Sequence, residues 1–142
     1  KLITQYSSVP KLDLVKYWEQ VIFAWITGNA DMHLKNYSLY APDDENYTLT
    51  PAYDLLSTAL AVPEDTEELA LTLCGKKRKL TRRHFLDAML QSGMDTKVCA
   101  NIFSRFMRLA DTWEIFIHNS FLPKDMQQKY IALIKQRIIS LG

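Results

Sequence analysis

Glycine is scarce in this sequence. Four occur in 142 residues, at positions 28, 75, 93 and 142, so there is no Gly-rich loop of the kind that wraps nucleotide phosphates. Nor does an early strand carry a lysine that could pair with α- and β-phosphates, since Lys11 and Lys16 belong to the first helix. Cysteine is rarer still. Cys74 and Cys99 lie far apart without metal-type spacing and read as free thiols of a reducing compartment, which fits a cytoplasmic protein; a Cys74–Cys99 disulfide is the alternative. Neither sign of charge dominates. With 17 Lys and Arg against 16 Asp and Glu, the net charge of +1 creates no global field for nucleic acid or an anionic membrane. No apolar run approaches a membrane span and no signal-peptide pattern opens the chain. The first residue is Lys1 rather than Met, which reads as a processed product or a piece of something longer.

What is present is a 48% hydrophobic content, enough for a core, in a length that suits one domain over residues 1–142. The spacing of Leu14, Trp18, Val21, Ile22 and Trp25 predicts a buried helix from about Asp13, its expected N-cap, to Thr27, stopped by Gly28. Tyr37 to Tyr40 and Tyr47 to Thr50 predict a small hairpin around the turn Pro42 to Asn46. Leu55 to Ala61 reads as a short helix or turn, Pro63 to Glu68 as an acidic loop, and Leu69 to Leu73 as one more strand ended by Gly75. Helices follow from Thr81 to Gln91, with Thr81 as N-cap and Phe85, Leu86, Met89 and Leu90 facing inward, and from Thr96 to about His118. A last helix runs from Pro123 to Leu141. Trp113, Phe116 and Phe121 are expected in the core. The expected fold is mainly α with a small β-hairpin.

The informative residues are Asp31, Asn36 and Asp54. They lie in Gly28-Asn29-Ala30-Asp31-Met32-His33-Leu34-Lys35-Asn36 and in Pro51-Ala52-Tyr53-Asp54-Leu55-Leu56-Ser57. An Asp, an Asn five residues later and a second Asp beyond a hairpin form the layout of a phosphoryl-transfer site. The first Asp can orient or accept the proton of an attacking hydroxyl; the Asn carbonyl and second Asp are hard oxygen ligands for magnesium on a nucleoside triphosphate. The competing readings are local: Asp31 as a turn cap, Asp54 as the N-cap of the following helix, and Asn36 as a bridge between loop and hairpin. Lys35 reads equally as a phosphate contact or a solvated lysine. His33 is expected to hold the loop's shape, without a role in proton transfer. Lys76 to Lys79 with Arg82 and Arg83 form a basic patch, read as a solvated turn entering a helix. His84 and His118 lack partners at zinc-ligand spacing.

The stretch from Phe23 to Thr58, with its Gly-Asn-x-Asp-x-His-x-x-Asn and Pro-x-Tyr-Asp-x-x-Ser, resembles the catalytic core of the HipA family of bacterial serine/threonine kinases. Leu69 to Leu73 with Gly75-Lys76-Lys77 is similar to that family's C-terminal lobe. The resemblance implies a protein-kinase-like, HipA-type C-terminal lobe that transfers the γ-phosphoryl of ATP, with Asp31 as catalytic base and Asn36 and Asp54 holding Mg2+. It also implies a protein substrate and a toxin of a toxin–antitoxin pair, neutralised by a DNA-binding antitoxin. Only 30 residues precede Asp31, too few for the N-terminal nucleotide-clamping lobe, so that lobe would come from a longer chain or a partner. A non-catalytic interaction module that keeps the fold is the second reading, and a small-molecule or lipid phosphotransferase the third. Neither direct nucleic-acid binding nor a membrane contact is expected.

Overall fold

The computed structural model describes residues 1–62 and 64–142. A short helix α1, Leu2–Tyr6, precedes the main helix α2, Pro10–Ile26. Pro10 opens α2, where a missing N–H costs nothing because the first helical amides have no partner anyway. Trp18, Val21, Ile22, Trp25 and Ile26 make its buried stripe. Asp13 is therefore inside the first turn and not the N-cap. Its side chain is fully buried and gathers three donors. The carboxylate accepts from Ser7 Oγ at 2.7 Å, from the Leu49 N–H at 2.7 Å and from Lys16 Nζ at 3.2 Å. Burial opposes its ionisation, but these hydrogen bonds and the Lys16 charge prevail and hold the carboxyl below its ordinary pKa.

Helix α2 ends in a Schellman motif. The Gly28 N–H reaches Trp25 O at 3.1 Å and the Asn29 N–H reaches Ala24 O at 2.8 Å, which requires the left-handed φ of +71° at Gly28. After a 3-10 turn at Leu34–Asn36 come strands β1, Leu39–Tyr40, and β2, Thr48–Leu49, paired antiparallel with Leu39 opposite Leu49 and Tyr40 opposite Thr48. The turn between them is closed by Asp43, whose carboxylate accepts from the backbone of Glu45 and Asn46 and from the Asn46 amide. Because Asp13 holds the Leu49 N–H, the hairpin is tied directly to α2.

Helix α3, Thr58–Ala61, is the short element expected after Asp54. Pro63, the first residue of the expected acidic loop, lies outside the described residues. The expected strand at Leu69 to Leu73 does not form. A strand needs a neighbouring ladder, and the pairing here is a single bridge between Leu73 and Lys76 around Cys74 and Gly75, both at positive φ. What anchors it is Glu68. Its carboxylate accepts from Trp25 Nε1 at 2.9 Å and from the N–H groups of Lys79 and Leu80 at 3.0 Å, and it lies 3.0 Å from the Arg137 guanidinium.

Helix α4, Arg82–Gln91, begins at Thr81 as expected, with His84 standing where a capping box places Glu or Gln. Leu90, expected inward, is exposed. The single helix expected over Thr96 to His118 is two, α5, Thr96–Arg108, and α6, Ala110–His118. The Leu109 N–H bonds to Phe106 O, a tightened turn that redirects the chain, and Trp113 then packs on Phe106 and Phe23 with ring centroids 6.0 and 5.8 Å away. The redirection leaves Phe116 and Phe121 exposed, not in the core as expected, while Trp113 is partly buried. Helix α7, Lys124–Ile139, closes the fold against α2 and α6. The core gathers Trp18, Ile22, Trp25 and Ile26 of α2 with Phe85 and Met89 of α4, Ile102 and Phe103 of α5, and Ile134 of α7. No helix among the described residues is long and apolar enough to cross a membrane. Both cysteines are free thiols, Cys74 exposed and Cys99 buried.

Candidate functional site

The loop leaving α2 is fixed from its first residue. A Cβ on Gly28 would lie 2.7 Å from Leu133 Cδ2 and 2.8 Å from Ala59 Cβ, so the chain passes where only glycine fits. Asn29 follows with 1% exposure; its Oδ1 accepts from the Asp31 N–H at 3.0 Å and its Nδ2 donates to Asp54 O at 3.3 Å. Thr58 Oγ1 accepts from the Ala30 N–H at 2.9 Å and donates to Gly28 O at 3.1 Å. The two loops bearing the aspartates are thereby bonded before either carboxylate is considered.

Asn36 is buried at 3% exposure. Its Nδ2 donates to Asp54 Oδ2 at 3.2 Å and to the backbone oxygen of Asp31 at 3.3 Å. With Nδ2 engaged on both sides, Oδ1 is the atom of this amide left to act as an oxygen ligand. Asp54 is exposed and adopts φ +56°, a left-handed conformation that costs a non-glycine residue energy and persists only where its surroundings hold it. It does not cap α3, which begins four residues later with no side-chain cap at Ser57. Tyr53 braces the same turn by donating to Lys35 O at 2.8 Å and meeting Ser38 Oγ at 2.9 Å.

Asp31 joins this group through its backbone. Its carboxylate is exposed and sits 3.3 Å from the half-exposed His33 Nε2, a contact within the loop of the kind expected of His33. Lys35 is exposed, and its side chain enters no ion pair among the described residues. The structure thus brings Asn36 and Asp54 into contact and places Asp31 and Lys35 on the exposed surface of the same loop. Two clefts open on chain neighbours of these residues, one of about 1200 Å³ that includes Leu34, Tyr37 and Ser38 in its lining and one of about 590 Å³ that includes Pro51, Ala52 and Leu55, but Asp31, Lys35, Asn36 and Asp54 line neither.

The remaining candidates have local partners. In the basic patch, Lys77 pairs with Glu67 at 2.8 Å, Arg83 with Asp87 at 3.7 Å, and Arg82 donates to Leu141 O and lies over Phe103. His84 caps α4 and His118 lies 3.8 Å from Glu114. No group of three or more His, Cys, Asp or Glu side chains among the described residues could hold a metal. A carboxylate with one amide oxygen suits magnesium, which takes few protein ligands and completes its shell with phosphates and water. Asn29, Thr58 and Asp13 were missed as contributors to this region. A polar residue directly after a helix-stopping glycine, and a threonine four residues past Asp54, were the available signals.

Comparison with known proteins adds three findings. Residues 1–113 match the model of the HipA-like C-terminal domain. Two proteins of Sinorhizobium fredii are similar in part: Putative kinase Y4dM, 41% identical over 71 residues, and Putative kinase Y4mE, 38% identical over 77 residues. These matches take in 49% and 54% of this chain but 17% and 18% of the relatives, and a Haemophilus influenzae relative named Putative kinase is 26% identical over 91% of this chain and 37% of its own length. The chain therefore spans well under half the length of these relatives. In fold, it is similar to HipA of Shewanella oneidensis in its complex with HipB and operator DNA, with a TM-score of 0.77, 21% identity, and coverage of 96% of this chain and 33% of that one.

Proposed function

Because the chain belongs to the HipA-like C-terminal domain family, we propose that it is the catalytic lobe of a serine/threonine protein kinase, serving as the toxin of a cytoplasmic toxin–antitoxin pair. The observation that carries this reading is the buried Asn36 amide, bonded at once to the Asp31 backbone and the Asp54 carboxylate. It ties the residue suited to act on an acceptor hydroxyl to the residue suited to hold a cation. In this reading Asp31 orients the hydroxyl and accepts its proton, and the exposed position of its carboxylate leaves room for an incoming side chain. Asn36 and Asp54 hold Mg2+, which when bound neutralises charge on the phosphates of ATP. Lys35, exposed on the same loop, meets those phosphates as a point charge. The acceptor is a protein serine or threonine hydroxyl. A phosphate-gripping N-terminal lobe comes from a longer chain or a partner, and a DNA-binding antitoxin is the neutralising partner, as HipB accompanies HipA in the structurally similar complex.

The test is transfer of the labelled γ-phosphoryl of ATP to protein acceptors by the protein with its N-terminal lobe supplied. Asp31→Asn is expected to lower turnover by roughly 10²–10⁴-fold at nearly unchanged nucleotide affinity. Asp54→Asn is expected to weaken magnesium–ATP binding as well. Normal turnover by Asp31→Asn would remove the base assignment. A purely local role for both residues would instead lower the melting temperature and leave turnover intact.

A further inference from the structure

We infer that Asn29 is the positioning residue that sets the Asp31 loop against the Asp54 turn, an inference that rests on the phosphoryl-transfer reading above. The backbone of Asn29 ends α2 through its N–H to Ala24 O, a bond open to many residue types. The side chain does something else. It is almost fully buried and its one planar amide uses both ends: Oδ1 on the Asp31 N–H at 3.0 Å, Nδ2 on the Asp54 carbonyl at 3.3 Å. A buried amide satisfied at both ends is directional and costly to leave half-paired.

Four hydrogen bonds cross between residues 28–30 and residues 54–59: Asn29 to Asp54, Ala30 to Thr58, Thr58 to Gly28 and Ala59 to Gly28. Of the residues making these four bonds, Asn29 is the one whose side chain also bonds Asp31, so it joins both aspartates through their main chain, as Asn36 joins the Asp31 backbone to the Asp54 carboxylate. Its second contact falls on a residue that needs holding. Asp54 sits at φ +56°, with its carboxylate bonded by Asn36 and its carbonyl by Asn29. Asn29 fixes the main chain from which the Asp54 carboxylate projects, and Asn36 fixes the carboxylate itself.

The two ends of the amide can be separated. Asn29→Ala removes both bonds. Asn29→Asp keeps the acceptor for the Asp31 N–H but replaces the donor with an oxygen facing the Asp54 carbonyl. Amide hydrogen exchange and backbone resonances of the purified protein read the two loops, and paramagnetic broadening by Mn2+ at Asn36 and Asp54 reads cation binding. Asn29→Ala is expected to speed exchange at the Asp31 amide roughly tenfold, whereas Asn29→Asp leaves that amide slow and moves the resonances of Asp54 and Leu55. Both variants are expected to weaken Mn2+ binding about tenfold while exchange within α5 stays unchanged. Unaltered Asp54 resonances and Mn2+ affinity in Asn29→Asp would overturn the inference. So would altered exchange with unaltered Mn2+ affinity, which would make the bonds merely structural. Wild-type protein with no Mn2+ broadening at Asn36 and Asp54 would instead overturn the reading on which the inference rests. Should Asn29→Ala fail to fold, the near-isosteric Asn29→Asp decides alone.

Discussion

The amide of Asn36 meets the carboxylate of Asp54 at 3.2 Å, with the first buried and the second open to solvent. Turning that amide into a second carboxylate sets two negative charges side by side. Asn36→Asp is expected to be destabilised by roughly 1–3 kcal/mol at neutral pH, through lost hydrogen bonds and like-charge repulsion. Millimolar Mg2+ should restore more of the melting temperature in this variant than in the wild type. Equal Mg2+ responses in the two proteins would show that the pair does not hold the ion.

The purified 142-residue chain is expected to bind ATP weakly and to have no appreciable kinase activity. In enzymes of this chemistry the grip on the phosphates comes from a Gly-rich loop and a strand-borne lysine, and the sequence offers neither. Titration calorimetry with magnesium–ATP and a phosphotransfer assay check this. Robust magnesium-dependent phosphorylation by the chain alone would show that its own residues suffice.

Acid should act on the hairpin through Asp13. Its carboxyl is held below its ordinary pKa despite burial, by Ser7, the Leu49 N–H and Lys16. A group depressed in the folded state contributes stability above its unfolded pKa, near 3.9, and loses it as pH falls through the lower folded value. Asp13→Asn is expected to cost about 1–3 kcal/mol at neutral pH, with the gap to wild type narrowing below about pH 4. Melting curves from pH 7 to pH 3 read the difference, and a gap independent of pH would mean that the charge contributes nothing.

Gly28→Ala is expected to destabilise by roughly 2–4 kcal/mol, combining the left-handed backbone penalty with overpacking. The added Cβ would press on Leu133 and Ala59. Chemical denaturation of the variant measures the sum. A double variant that also trims Leu133 to Ala should recover only the Leu133 share of the packing part, leaving the contact with Ala59 and the backbone penalty.

Helices α2, α4, α5 and α7 were legible because each sets apolar residues at helical spacing, and the hairpin because aromatic and β-branched residues flank an acidic turn, whereas α1, Leu2–Tyr6, buries no residue and gave no such signal. Asp31, Asn36 and Asp54 stood out for their spacing, and the contact between Asn36 and Asp54 follows from a hairpin that returns the chain. Three of the differences trace to partners distant in sequence. Asp13 resembled a cap because its partner Leu49 lies 36 residues away. Leu69 to Leu73 alternated like a strand, yet Glu68 ties its start to Trp25 and Arg137, and nothing local in the sequence announces either bond. The division at Leu109 carries no glycine or proline; it depends on where Trp113 finds Phe23. Asn29 was passed over as turn-forming, because a buried amide reads like an exposed one until its surroundings are known.

Helix α7 begins beyond residue 113, where the family match stops, yet it supplies the wall behind Gly28 through Leu133 and the cation stacked on Trp25 through Arg137. A fragment cut at the end of the matched region would lose both, leaving Glu68 without its guanidinium and the exit of α2 without its backstop. A helix outside the matched residues thus buttresses the loop that bears Asp31. Shortened versions intended to retain the Asp31 loop in its native shape should keep the chain through Leu141, whose side chain is fully buried.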